Sequence, residues 1–214
     1  FSKLNKGYLS LLNKYPLLTK AITTALFNSL NEQIASFLAG DLQHITIKIG
    51  SHKFVLPHTL TAKVPLMAFY GFAINAPFAH HAYKLLNKIY IPPLSSRTKI
   101  AQILTSMVTI TPVISAITIS YISLINNAQF EKLFDLIKIG DITSLKLELK
   151  SIFNKMKTSL ITTFFPVVKS SWFSSPLFMI FAQKFLEPNL WVVFFSFCYF
   201  LLGTLNNTQI KKAQ

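Results

Sequence analysis

The sequence predicts an all-α fold, a polytopic transmembrane helix bundle of four to five spans with amphipathic helices at the membrane surface. Three observations predict it. Only 13% of the 214 residues are charged, about half the share of a soluble domain, while 51% are hydrophobic. The stretch from Val64 to Tyr83 holds no charge, and as a helix it would rise about 30 Å, the thickness of a bilayer's hydrocarbon. Lysines gather at the ends of this and the other apolar runs, where their ammonium groups reach the headgroups and meet anionic lipid.

The first element is an amphipathic helix over residues 1–15. Phe1, Leu4, Tyr8, Leu11, Leu12 and Tyr15 recur at three-and-four spacing among Lys3, Lys6 and Lys14, so the helix lies at the interface. Pro16 then opens a span over residues 16–39, proline costing no hydrogen bond at a first helical turn. Its second half carries Asn28, Asn31, Glu32 and Gln33. A lone carboxylate in hydrocarbon is costly, so Glu32 either faces the bundle interior or a watery cavity, is protonated, or sits near the headgroups.

Residues 41–62 alternate apolar and polar through Ile45, Ile47 and Ile49, which reads as an inter-span loop with room for a short hairpin. His44, His52 and His58 in this loop match no zinc spacing and have no acids or cysteines beside them. A second span covers residues 64–86 and ends in Ala76-Pro77-x-x-His80-His81-x-Tyr83. His80 and Tyr83 lie one turn apart, which suits an interfacial anchor or packing contact and, as the alternative, a gate. The third span, residues 100–125, carries Ser106, Thr109 and six further hydroxyl residues around Pro112. Hydroxyls permit close helix packing and bond the carbonyls a proline frees, and a polar pore lining is the other reading.

Residues 126–157 hold four of the seven acids and read as two polar surface helices parted by Gly140. Residues 159–183 and 189–205 complete the spans, interrupted by Pro166, Pro176 and Pro188. The tail beyond Asn206 is polar and is expected to hang free. Both sets of loops are basic, so the charge bias gives no orientation.

Composition also excludes several function classes. The net charge of +14 comes with no recognition motif or basic stripe, so it points to lipid and away from nucleic acid. Cys198 is the only cysteine and forms no internal disulfide. The acids are scattered, with no nucleophile motif or phosphate loop, which argues against an enzyme and calls for no cofactor or metal. The candidate polar interior or pore residues are therefore Asn28, Glu32, Asn75, His80, Ser106 and Thr109.

Three stretches resemble the Mpv-seventeen and peroxisomal-membrane-protein-twenty-two family. Tyr8-Leu9 through Tyr15-Pro16-x-x-Thr19-Lys20-Ala21-Ile22 is similar to the family's opening, most closely in its peroxisomal branch. Tyr70-Gly71-Phe72 through Ala76-Pro77-x-x-His80-x-x-Tyr83-x-x-Leu86 is similar to its Gly-Pro-x-x-His-x-x-Tyr-x-x-Leu, with Ala76 in place of glycine. Trp172 to Pro176 and Phe185 to Pro188 resemble its ending. Ser106 and Met107 stand where the family usually has an acid followed by an amide or arginine. The family's structural positions thus fall on Pro16, Lys20, Pro77, Tyr83, Pro112, Trp172, Pro176 and Pro188. The resemblance implies a bundle in an organellar membrane, peroxisomal by its opening with the mitochondrial inner membrane as the alternative. It further implies a poorly selective channel for small solutes, whose partners are lipid, the solutes and, as an open option, a second copy. A non-transporting protein that packs with partner subunits and supports the organelle membrane is the rival reading.

Overall fold

A computed structural model describes residues 2–49, 52–91, 95–185 and 191–212. Helix α1 (Ser2–Lys14) turns at Tyr15 into α2 (Pro16–Ala39), with Pro16 in its first turn. The two are tied by Thr19, whose hydroxyl donates to the Leu11 carbonyl at 3.0 Å. Gly40 ends α2 at φ 75°, a left-handed position that glycine adopts without steric cost. Strands β1 (Gln43–Ile49) and β2 (His52–His58) then form an antiparallel hairpin with Ile45 opposite Leu56.

The second apolar stretch is one helical rod in three parts: α3 (Lys63–Phe69), a π-helical segment Tyr70–Asn75, and α4 (Ala76–Ile89). The wide turn immediately precedes Pro77. A proline ring collides with the carbonyl four residues back, and the wider register opens the helix ahead of it. Helix α5 (Ser96–Asn127) follows, capped by the Ser95 hydroxyl on the Thr98 amide, with Pro112 inside it. Near that proline, Ser106 and Thr109 donate to the carbonyls of Ile103 and Thr105, and the Trp172 indole donates to the Met107 carbonyl at 2.7 Å.

Helix α6 (Phe130–Ile139) ends at Gly140, again at φ 75°. Asp141 then accepts from the Ser144 amide at 3.0 Å, opening α7. The Ser144 hydroxyl, followed by the Ser144 and Thr143 amides, holds its carboxyl below the usual carboxylate range. Helix α7 (Ile142–Phe185) runs unbroken past residue 157, where the sequence reading separates a surface helix from a span. Composition changes there, but Asn154-Lys155-Met156-Lys157-Thr158-Ser159 contains no glycine or proline, so nothing stops the backbone ladder. Pro166 and Pro176 are both accommodated within α7. Helix α8 (Trp191–Lys212) extends beyond residue 205. The tail expected to hang free is instead docked, with Asn207, Thr208 and Ile210 buried.

Helix α2 packs along α8, α3 and the π segment, while α5 packs along α7 and touches α4 and α8. An apolar core joins Met67, Tyr70, Ile119, Ile122, Ile125, Val167 and Ile210. Tyr70 stacks on Tyr121, and the Tyr121 hydroxyl donates to the Leu66 carbonyl at 2.9 Å. Beside this apolar core, polar residues are also buried and large apolar ones stand outside. Asn31, Glu32, Ser36, Ser123 and Thr204 are buried, whereas Leu26, Phe37, Val108, Phe165 and Phe173 are exposed. Among the described residues, α5 alone is long and apolar enough to cross a membrane, and a third of its most apolar window is buried inside the bundle.

Candidate functional site: an amide-lined cavity beside a buried ion cluster

Two polar stripes meet along the α2–α8 contact. On α2, Asn31 and Glu32 lie three and four residues after Asn28, and Ser36 lies four after Glu32, while on α8 Thr204, Asn207 and Lys211 fall three and four residues apart. Such spacing puts each set on one helix face. Thr204 donates to the Asn31 side-chain carbonyl, and Asn207 donates to Glu32 Oε2 at 3.1 Å. Lys211 Nζ lies 2.8 Å from Glu32 Oε1 and 3.1 Å from Asp41 Oδ2, and Asp41 also takes Lys63 Nζ at 2.8 Å. The Glu32 and Lys211 side chains are 0% and 4% exposed. The carboxylate is thus fully partnered by an ammonium, an amide and the Ser36 hydroxyl at 3.3 Å. At the solvent edge of the cluster, Lys63 and then Lys211 hold the Asp41 carboxyl below its usual range, against partial desolvation.

Next to this cluster is a cavity of about 660 Å³, walled by α2, α3, the π segment, α4, α5, α7 and α8. Amides come from Asn28, Asn31, Asn75, Gln102, Asn206 and Asn207. Hydroxyls come from Tyr70, Tyr83, Ser106, Thr111, Ser115, Thr118, Ser171 and Ser175. Its wall contains no Asp, Glu, Lys, Arg or His among the described residues.

Two glycines give the asparagines their room. A Cβ on Gly71 would stand 2.7 Å from both Asn28 Nδ2 and the Thr24 carbonyl oxygen, and one on Gly203 would stand 2.7 Å from Asn31 Nδ2. Three amide atoms at the cavity are buried and have no hydrogen-bond partner within the described protein: Asn28 Nδ2, Asn206 Oδ1 and Asn207 Oδ1. Leaving such atoms unpaired is costly, so they mark where a polar molecule would bind.

Of the residues singled out from sequence, Asn28, Asn75 and Ser106 line the cavity and Tyr83 joins them. Glu32 stands behind the wall in the ion cluster. Thr109 is exposed, its hydroxyl occupied by the Thr105 carbonyl. His80 lies outside the lining, its ring edge-on to His81 at 5.4 Å. Pro16, Pro77, Pro112 and Pro176 occupy the helix positions described above, and Trp172 ties α7 to α5. Lys20 is exposed and its carbonyl accepts from Thr24. Pro188 lies outside the described residues. The partners absent from the sequence reading are Asn206, Asn207 and Lys211. The Thr204, Asn207, Lys211 periodicity, complementary to Asn28, Glu32, Ser36, was the signal for them.

The relatives decide the family. The sequence profile of the Mpv17 / PMP22 family matches residues 146–206. Over 210 residues the chain is 32% identical to the Woronin body membrane protein wscA of Aspergillus fumigatus, covering 96% of this chain and 78% of that protein. This chain belongs to the Mpv17 / PMP22 family. It is also 32% identical over 206 residues to the Woronin sorting complex protein of Neurospora crassa, of which it spans 56%. No solved structure matches the chain significantly. Within this Mpv17 / PMP22 protein, the profile ends at Asn206, beside the α8 amides and just before Lys211.

Proposed function

We propose that this Mpv17 / PMP22 protein is a polytopic organellar membrane protein whose bundle admits small polar solutes to the cavity, with no chemical step. The cavity carries the reading: about 660 Å³ whose wall sets six amides and eight hydroxyls among ten apolar side chains, inside a bundle whose outside is apolar. Polar side chains at membrane depth are costly against lipid, whereas a bundle interior or cavity wall accommodates them. The outward rows support several spans. Ile22, Leu26 and Leu30 on α2 and Ile100, Leu104 and Val108 on α5 recur every fourth residue and are all exposed, the surface expected of helices bathed in hydrocarbon.

The test is solute release from proteoliposomes, using neutral solutes of graded size. Release with a size cutoff supports the reading. No release from folded, inserted protein refutes it.

A second reading is favoured by the relatives' names, one a Woronin body membrane protein and the other a Woronin sorting complex protein. On that reading the chain resides in the membrane of a body of this kind and assembles with other subunits, and the α2–α8 seam serves to hold the bundle rigid for docking. Those names give the mitochondrial alternative no support. Crosslinking and mass determination of the protein in native membranes separates the two: an obligate hetero-assembly without solute release favours the assembly role.

A further inference from the structure

The charge of the chain and the charge of its cavity disagree. With a net charge of +14, a pore through this protein would by default be expected to draw anions. Yet the cavity wall has no ionisable acid, base or imidazole among the described residues. The two buried charges nearest to it, Glu32 and Lys211, are consumed by each other at 2.8 Å. An ion entering such a site loses hydration and meets no countercharge. A neutral solute pays far less, provided its own polar groups are matched.

The unpartnered atoms state what would match. Asn28 Nδ2 offers a donor, while Asn206 Oδ1 and Asn207 Oδ1 offer acceptors. Asn207 is only 3% exposed, and its Nδ2 is already committed to Glu32 at 3.1 Å, which fixes its carbonyl as the free end. A hydroxyl group both donates and accepts, so a molecule with several hydroxyls suits a donor and acceptors alike. We propose that the cavity is a binding site selective for small neutral polyhydroxylated solutes over ions of the same size, with Asn28, Asn206 and Asn207 as its recognition groups. Gly71 acts as a positioning residue, since any side chain there collides with the Asn28 amide and the Thr24 backbone. This inference rests on the reading that solutes enter the cavity, and it adds the class of solute.

Glycerol, erythritol and glycerate are the probes, the last being of glycerol's size with a carboxylate. Binding to the detergent-purified full chain is read by saturation-transfer NMR, and permeation by light scattering of proteoliposomes. Saturable binding of glycerol and erythritol is expected, with glycerate at least tenfold weaker despite the basic chain. Asn28→Leu should weaken polyol binding about tenfold, the value of roughly one hydrogen bond to a buried group. It should leave thermal stability unchanged or raised, because it deletes an unpaired buried donor. Asn206→Leu gives a second, independent variant with the same expectation. Glycerate binding as tightly as glycerol overturns the inference, and so does polyol binding that survives both substitutions. Polyol binding without permeation upholds the inference and removes the solute pathway. Permeation that does not distinguish glycerol from glycerate keeps the pathway and overturns the selectivity.

Discussion

Replacing Lys211 with methionine tests the α2–α8 seam at its tightest point. The substitution keeps the length of the side chain and removes the ammonium that sits 2.8 Å from Glu32 and 3.1 Å from Asp41. Asp41 retains Lys63 at 2.8 Å, so its loss is small. Glu32 is 0% exposed and keeps only Asn207 and Ser36. Removing one member of a buried pair costs about 3–5 kcal/mol, and the two remaining hydrogen bonds place this case near 3 kcal/mol. For a chain of this size that corresponds to a melting point lower by about 6–12 °C.

Cys198 provides the readout. It is the only cysteine and is 7% exposed on α8, so a fluorogenic maleimide reacts with it when α8 undocks. Adding Glu32→Gln to Lys211→Met should restore more than half of the lost stability, because the uncompensated charge disappears. A Lys211→Met protein that melts with the parent, or a double variant worse than the sum of the single ones, refutes the buried pair as a stabilising unit.

Further expectations follow from the same geometry. Gly71→Ala should destabilise by about 2 kcal/mol, since its Cβ meets the Thr24 carbonyl oxygen at 2.7 Å and backbone cannot retreat. Gly203→Ala meets only the Asn31 side-chain amide at 2.7 Å and should cost less, an ordering that the same maleimide melts would show. Tyr121→Phe removes the hydroxyl that donates to the Leu66 carbonyl at 2.9 Å and should cost about 1 kcal/mol in the same assay. The Asp41 carboxyl is held low by Lys63 and Lys211, so its contribution is present above the unfolded carboxylate pKa near 3.8 and is lost as pH falls through the lower folded value. In melts taken between pH 6 and pH 3, about, Asp41→Asn should flatten the acid-side loss relative to the parent.

Much of the architecture could be read from residue pattern, for identifiable reasons. Pro16 at a helix start, Gly40 and Gly140 after helix ends and the Ile45-Thr46-Ile47 alternation are local signals, and local backbone rules act on them directly. Asn28, Asn75 and Ser106 stood out because polar groups within long apolar runs are costly unless they face one another. The cluster partners were not legible. Asn207 and Glu32 are 175 positions apart, and nothing local distinguishes a docked polar turn from a free tail until the matching stripe on α2 is set against it. The unbroken α7 shows the complementary error, in which a change of composition at residue 157 was read as a change of structure. The π segment required knowing that the helix runs on through Pro77, which sequence reports only as a proline inside an apolar run.

The central claim is that solutes occupy the cavity between α2, α5 and α8. Its most direct test is Ser106→Cys in a Cys198→Ala background, reconstituted in proteoliposomes and treated with a bulky thiol reagent, with exposed Leu149→Cys as control. Ser106 lines the cavity and Leu149 does not. The account predicts that modification at 106 blocks glycerol entry and that modification at 149 leaves it unchanged. Glycerol entry that persists after complete labelling of residue 106 would contradict it.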